Sequence, residues 1–252
     1  MNDDLILIEK DESVCTLKMN RPNVMNALNA DMIQCFNSAI NKIEQDPAIR
    51  VVVLTGAGEN FSSGADLKLL ADATYTPETL NILRQLRKII LQLRALPQPI
   101  VSKVKGIAYG FGANLALTAD FVITDKNARF CEVFVKINAM IDGGGIYYLP
   151  RLIGMAKARE LAMLGEEISG EKAEKIGLVY KAVNSKELDD TVINLSKKLA
   201  KLEPAALSLI KEGLDASWNM TLAEALEWEC SHQAIMLQSN EHKSIIKKLM
   251  KK

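Results

Sequence analysis

Histidine is scarce in this chain of 252 residues. The two present, His232 and His242, lie late and apart, at no spacing that a metal site uses. Cysteine is little richer: Cys15, Cys35, Cys131 and Cys230 are scattered with no CxxC pair. That pattern fits free thiols in a reducing compartment better than a disulfide framework. Net charge is lacking too, because 31 basic residues balance 31 acidic ones. The balance argues against a nucleic-acid binder that works through broad positive charge. No apolar run approaches the roughly 18 residues that span a bilayer. The first residues, MNDDLILIEKDES, carry acids where a signal or transit peptide would carry basic residues. The expectation is a cytoplasmic protein with no membrane and no nucleic acid among its partners. Phosphate-binding signatures are missing as well. There is no GxxxxGK[ST], and neither Gly56 with Gly58 nor Gly110 with Gly112 has the third glycine of a dinucleotide fingerprint.

The chain has enough apolar residues, 48%, for a sizeable core. Leu5–Ile8 and Val14–Met19 read as two short strands around a polar turn, Lys10–Ser13. Met32, Ile33, Phe36, Ile40 and Ile43 have helical spacing, and Asp46-Pro47 ends that helix. Val51–Thr55 is a β-branched run suited to a strand buried on both faces. Ala71–Pro77 is a polar link. Thr79–Leu96 predicts a long helix with Ile82, Leu83, Leu86, Ile90 and Leu93 on one face, stopped by Pro97 and Pro99. Ile100–Val104 and Phe121–Ile123 are further apolar runs, and Ala156–Leu164 reads as helix. Ser169 is placed to cap a helix that Gly177 ends, before a strand over Leu178–Val183. Lys186–Leu202 is helical, Pro204 opens another helix, and Thr221 with Glu224 forms a capping box for a long one. The lysine-rich tail Glu241–Lys252 reads as a terminal amphipathic helix, docked or fraying. Strands and helices alternate to about residue 183 and helices follow. The fold class is α/β with a helical C-terminal region, divided as 1–195 and 196–252.

The richest chemistry lies between Pro99 and Arg151. Gly110-Phe111-Gly112 runs into the apolar Ala113–Leu117, and one carboxylate, Asp142, stands directly before Gly143, Gly144 and Gly145. A similar stretch of small residues, Gly56 to Lys68, follows the Val51–Thr55 run. Glycine lets backbone approach a ligand closely, and successive N–H groups at a turn entering a helix bind anions. The plainer reading is that the glycines only make turns and that Asp142 caps a helix.

Several pieces now resemble a known family. They are Asn20-Arg21-Pro22, Asn26-Ala27-Leu28, Phe61-Ser62-Ser63-Gly64-Ala65-Asp66-Leu67, the run Gly106 to Asp120, and Asp142-Gly143-Gly144-Gly145. In order and spacing, over essentially the whole chain, they resemble the crotonase, or enoyl-CoA hydratase/isomerase, superfamily. Ala113–Leu117, Phe134–Ile137 and Leu149-Pro150-Arg151 most resemble its ring-1,2-epoxyphenylacetyl-CoA isomerase type.

The resemblance implies a spiral of ββα turns with a C-terminal helical region that assembles trimers or pairs of trimers. It implies acyl-CoA thioester ligands, with coenzyme A as part of the substrate and no metal or redox cofactor. It implies an oxyanion hole from the backbone N–H groups of Ala65 and Phe111; one such donor is typically worth about 3 kcal/mol of barrier. The implied CoA and acyl contacts are Val24, Ala27, Ser63, Gly64, Ala65, Asp66, Leu67, Lys68, Gly110, Phe111, Asn114 and Phe134. Lys68 reads equally as a solvated surface lysine. Leu67–Pro77, Phe134, Met140 and Tyr147 are expected to shape the acyl pocket. Phe111 departs from the small residue usual in the family.

The acids depart further. Family hydratases use two glutamates, and those positions hold Asn114 and Phe134, neither of which exchanges protons as hydration requires. Asp142, at a position the isomerases use, remains. The expected function is an acyl-CoA double-bond isomerase with Asp142 as acid–base group. The alternatives are a hydratase using Glu132, another reaction of the family such as thioester hydrolysis, and a catalytically silent acyl-CoA-binding homologue.

Overall fold

A computed structural model describes residues 5–71 and 76–251. In chain order the elements are β1 (Ile6–Asp11), β2 (Val14–Met19), α1 (Ala30–Glu44), β3 (Val51–Gly56), α2 (Leu67–Ala71) and α3 (Pro77–Ala95). Next come β4 (Ile100–Val104), β5 (Ile107–Tyr109), α4 (Phe111–Leu117), β6 (Phe121–Asp125), β7 (Arg129–Cys131) and α5 (Gly145–Leu164). Then follow β8 (Ile168–Ser169), α6 (Gly170–Lys175), β9 (Lys181–Val183), α7 (Leu188–Ala200), α8 (Pro204–Ser217), α9 (Leu222–Gln238) and α10 (Asn240–Leu249).

Two sheets result. The larger runs β1-β2-β3-β4-β6-β9, with β1 antiparallel to β2 and every later pair parallel. The smaller runs β5-β7-β8, parallel then antiparallel. A chain that leaves the large sheet at β4 enters the small one at β5 and then forms α4. The next turn does the same through β6 and β7. The turn before is abbreviated: after β3 the chain makes a single bridge from Ser62 to Ala108 in β5. Ser62, Ala108, Phe130 and Ile168 are therefore neighbours across the small sheet.

The β-branched run forms the strand it predicts. Val52 and Leu54 of β3 point into the main core with Phe36, Phe61 and Ile89, while Val51 and Val53 face a second cluster with Val192 and Leu199 of α7. Alternation along a strand puts successive side chains on opposite faces, so a helix layer on each side buries all four. The helix α7 runs unbroken through residue 195, where the chain was expected to divide.

Several boundaries differ from the sequence reading. The strand β1 continues to Asp11, and the hairpin turns at Glu12 and Ser13. On α3 the buried stripe is Leu86, Ile89, Ile90 and Leu93, while Leu83 is half exposed. Gly154, at φ 72° and ψ 159°, divides α5 in two: the second part is the helix expected over Ala156–Leu164, and the first, from Gly145, was not anticipated. Leu178–Val183 contributes strand only over Lys181–Val183. Ser169 does cap α6, accepting from the Lys172 N–H at 3.1 Å, and Gly177 follows that helix in a left-handed conformation. The Thr221–Glu224 capping box is formed in both directions. Residues 72–75 of the polar link lie outside the described residues. Among the described residues, no helix is long and apolar enough to cross a membrane.

Candidate active site

The loop after β3 and the loop after β5 are laced together by their backbones. The Tyr109 N–H donates to the Ser62 carbonyl at 3.0 Å, and the Ser62 N–H donates to Ile107 at 3.1 Å. The contact is too close for side chains. A Cβ on Gly64 would stand 2.7 Å from the Tyr109 oxygen and 3.3 Å from the Phe111 nitrogen. A Cβ on Gly112 would stand 2.5 Å from the Ser62 oxygen. Gly64 also has φ +91°, a conformation glycine adopts without strain. These glycines do more than turn the chain; they let two loops touch.

Ala65 and Phe111 each lie three residues beyond the paired Ser62 and Ala108. Leu28 donates to Gly64 O at 2.8 Å and accepts from Asp66 N–H at 3.0 Å. In a parallel bridge of that register, the N–H of Ala65 points away from Leu28. Phe111 is the first residue of α4, with Gly110 as its N-cap, so no carbonyl inside the helix can reach its N–H. Among the described residues neither N–H has a hydrogen-bond partner. The bulky Phe111 side chain is 2% exposed and packs beneath Gly143, where a Cβ would stand 3.1 Å from the ring. The missing side chain at Gly143 is what makes room for the benzyl group.

Asn114, one turn along α4 and wholly buried, gathers the acids. Its Nδ2 donates to the main-chain oxygen of Asp142 at 2.8 Å and to Glu132 Oε2 at 3.2 Å. Asp142 Oδ1 is buried without a partner among the described residues, and burial raises the carboxyl to about 6. Asp142 does not cap α5. The N-cap is Gly144, which receives no side-chain bond, so the capping reading of this aspartate fails. Glu132, 4% exposed, is pushed up to about 7 by burial, with the nearby Asp142 adding to the rise and the Asn114 hydrogen bond opposing it. Phe134 is buried over Gly110: a Cβ there would lie 3.5 Å from its ring.

Asp142, Gly143 and Gly144 also line a cavity of about 980 Å³ between α3, α5 and α8. Leu83, Leu86, Ile90, Tyr147, Leu214 and Trp218 make its apolar wall. Of the residues expected to shape an acyl pocket, Tyr147 lines it, whereas Phe134, the largely exposed Met140 and the described residues of Leu67–Pro77 do not. The sequence reading did not anticipate the α3 and α8 contributions. At one end Arg94 bonds Asp120 at 3.0 Å and pairs with Asp215, and Lys211 reaches Asp120 at 3.2 Å. This network ties α8 to α3 and to the start of β6.

The remaining expected contacts border the first loop. Asp66 pairs with Arg21 at 2.8 Å and accepts from Lys68 N–H at 3.0 Å, and the guanidinium holds its carboxyl below the ordinary range. Its side chain is thus committed to structure. The same Arg21 holds the Ala27 carbonyl at 2.5 Å, and the Ser63 N–H holds Met25 at 2.9 Å. Val24, Leu67 and Lys68 are exposed beside them. The buried Asn26 joins this region to the loop after β3, its Nδ2 donating to Ala57 O at 2.9 Å and Asn60 O at 2.8 Å. Among the described residues, no three of His, Cys, Asp and Glu converge as a metal site.

A family model described as enoyl-CoA hydratase/isomerase matches residues 9–251. The chain is 33% identical over 246 residues to a 1,2-epoxyphenylacetyl-CoA isomerase of Escherichia coli, covering 95% of this chain and 93% of that one. It is equally 33% identical, over 226 residues, to a short-chain-enoyl-CoA hydratase of Clostridium acetobutylicum, covering 89% and 86%. The crystal structure of an enoyl-CoA hydratase from Polaromonas sp. JS666 superposes with a TM-score of 0.92 at 32% identity, over 98% of this chain and 97% of that one. The spiral of paired sheets is thus the crotonase fold, and the chain belongs to the enoyl-CoA hydratase/isomerase family.

Proposed function

We propose that the protein is an acyl-CoA double-bond isomerase in which Asp142 is the acid–base group and the N–H groups of Ala65 and Phe111 hold the thioester oxygen. The observation that carries this reading is the unpartnered, buried oxygen of Asp142 on the wall of the apolar cavity. Positions 114 and 134, an amide and a phenyl ring, offer no second acid.

The chemistry follows for a 3-enoyl-CoA. The Asp142 carboxylate takes a proton from C2. The electron pair delocalises over the thioester oxygen and C4, and the two N–H donors stabilise the charge on oxygen. The protonated Asp142 then returns the proton to C4, leaving the double bond between C2 and C3. One group suffices because the proton leaves and returns on the same molecule. A base near neutral pH is favoured over an ordinary aspartate, and desolvation supplies that change. The apolar part of the acyl group would occupy the cavity between α3, α5 and α8.

Glu132 is a poorer base for water, since it is almost fully buried and fronted by Asn114. The protein works without metal or redox cofactor, and we propose that it assembles as trimers or pairs of trimers through its C-terminal helices. Leu222, Ile235 and Leu249 there are more than half exposed in one chain. The test is conversion of a 3-enoyl-CoA, followed by the rise in absorbance of the conjugated thioester. Binding of an unreactive acyl-CoA with no turnover of any enoyl-CoA would instead indicate a silent binding protein.

A further inference from the structure

Glu132 has no part in the proton shuttle just described, yet it sits at its centre. It follows β7, and its carboxyl is buried in the narrow space behind α4. An acid in such a place is expensive to desolvate, and an apolar residue of similar size would satisfy packing at lower cost. What it does contact is the Asn114 amide. The two acceptors around that nitrogen, Glu132 Oε2 and the Asp142 carbonyl, settle which end of the amide faces them. Among the described residues, Asn114 Oδ1 makes no hydrogen bond.

Asn114 is rigidly placed. It stands on α4, whose first residue supplies the Phe111 N–H, and Gly145 lies against its amide with no room for a Cβ, which would fall 2.6 Å from Nδ2. Asp142 is on a loop of glycines: Gly143 and Gly144 have φ +62° and +91°. Among the described residues, the Asp142 carbonyl is held only by Asn114 and, at 3.2 Å, by the Gly145 N–H. Such a loop can hinge unless something fixes it; the Phe111 ring packs under Gly143, and among the described residues the Asn114 amide is the side chain that hydrogen-bonds the loop to α4.

We propose that Glu132 is a positioning residue: by holding the Asn114 amide from behind, it fixes Asp142 at a set place relative to the Phe111 N–H. The inference rests on Asp142 being the acid–base group. It makes a specific demand on chemistry at position 132. A hydrogen-bond acceptor is required, and a charge is not. Because burial pushes Glu132 up to about 7, its uncharged form is well populated near neutral pH. Glutamine reproduces that form in shape and keeps the accepting oxygen, whereas methionine keeps the volume and loses the acceptor.

The experiment compares wild type with Glu132→Gln, Glu132→Met and Asp142→Asn, measuring kcat and KM for a 3-enoyl-CoA together with the melting temperature. Misplacing a catalytic group by a fraction of an ångström typically costs about tenfold or more in turnover. The expected result is that Glu132→Gln stays within about threefold of wild type. Glu132→Met should lose about tenfold in kcat, with KM and melting temperature essentially kept. Loss of activity in Glu132→Gln as deep as in Asp142→Asn would overturn the proposal, because Glu132 would then carry the proton itself. Wild-type kcat in Glu132→Met beside an inactive Asp142→Asn would also overturn it, leaving Asp142 as the acid–base group. Full activity in Asp142→Asn would refute the isomerase assignment of Asp142, and the positioning role with it.

Discussion

Asp142→Asn separates function from stability in a way that no peripheral substitution would. The aspartate keeps an unpartnered oxygen in a desolvated site, and burial raises its carboxyl from the ordinary 3.8 to about 6. A carboxyl whose folded-state value is raised holds its proton more tightly when folded. Its ionised form therefore burdens the fold. That burden is absent below about pH 4, grows between pH 4 and 6, and is complete above 6. At 1.36 kcal/mol per pH unit, it amounts to at most about 3 kcal/mol. Asparagine removes the charge and keeps the shape. At pH 7.5 the variant should melt several degrees above wild type, since 1 kcal/mol corresponds to about 2–4 °C in a chain of this size. At pH 4 the two should melt together. Turnover should move the other way, falling at least about a hundredfold for a 3-enoyl-CoA at pH 7.5, because an amide takes no proton from carbon. In wild type, kcat/KM should fall about tenfold per pH unit below about 6. Melting scans at the two pH values and the absorbance assay measure both. An asparagine variant that isomerises at the wild-type rate would refute the catalytic reasoning. One that gains no stability at pH 7.5 would refute the claim that Asp142 is desolvated.

Gly64→Ala should abolish turnover and lower stability by roughly 2 kcal/mol or more, seen in urea titration, because its Cβ would press on the Tyr109 oxygen at an unfavourable φ. Crotonyl-CoA should lose almost none of its conjugated absorbance with this protein, since positions 114 and 134 supply no acid–base pair; rapid hydration would bring Glu132 forward as a base. Light scattering on a sizing column should give about three or six times the chain mass, and a clean monomer at micromolar concentration would contradict the assembly proposed. Exhaustive treatment with a chelator should leave isomerisation unchanged, as read by the same absorbance assay.

The sequence made the large sheet and most helices legible because their signals are long. The run Val51–Thr55 and the spacing of Met32 to Ile43 each continue over several turns or residue pairs. The small sheet was not legible. Its strands β5, β7 and β8 have three, three and two residues, too few for alternation to show. Leu83 differs for another reason: helical periodicity gives the face of a helix, not how much of its length is covered. The glycine turns and Asp142 were visible as motifs, but their spatial neighbours were not. Nothing along the chain pairs Asn114 with both Glu132 and the Asp142 carbonyl, 18 and 28 residues away. Phe111, which departs from the family pattern, is explained only by the empty space over Gly143.

The register that sets Ser62, Ala108 and Phe130 side by side has an engineering consequence. Two of those rungs lead, after equal lengths of chain, to the amides of Ala65 and Phe111. Both proposed donors thus hang from neighbouring rungs, whose strands run about 4.8 Å apart. A side-chain exchange that leaves the strands paired and the turn glycines intact should leave those proposed donors in place. The residues at 114, 132, 134 and 142 are side chains around that fixed frame. On the function proposed above, exchanging them would redirect where protons travel without rebuilding the part that faces the carbonyl. A redesign for a different reaction should therefore begin at those four positions and leave the rungs untouched.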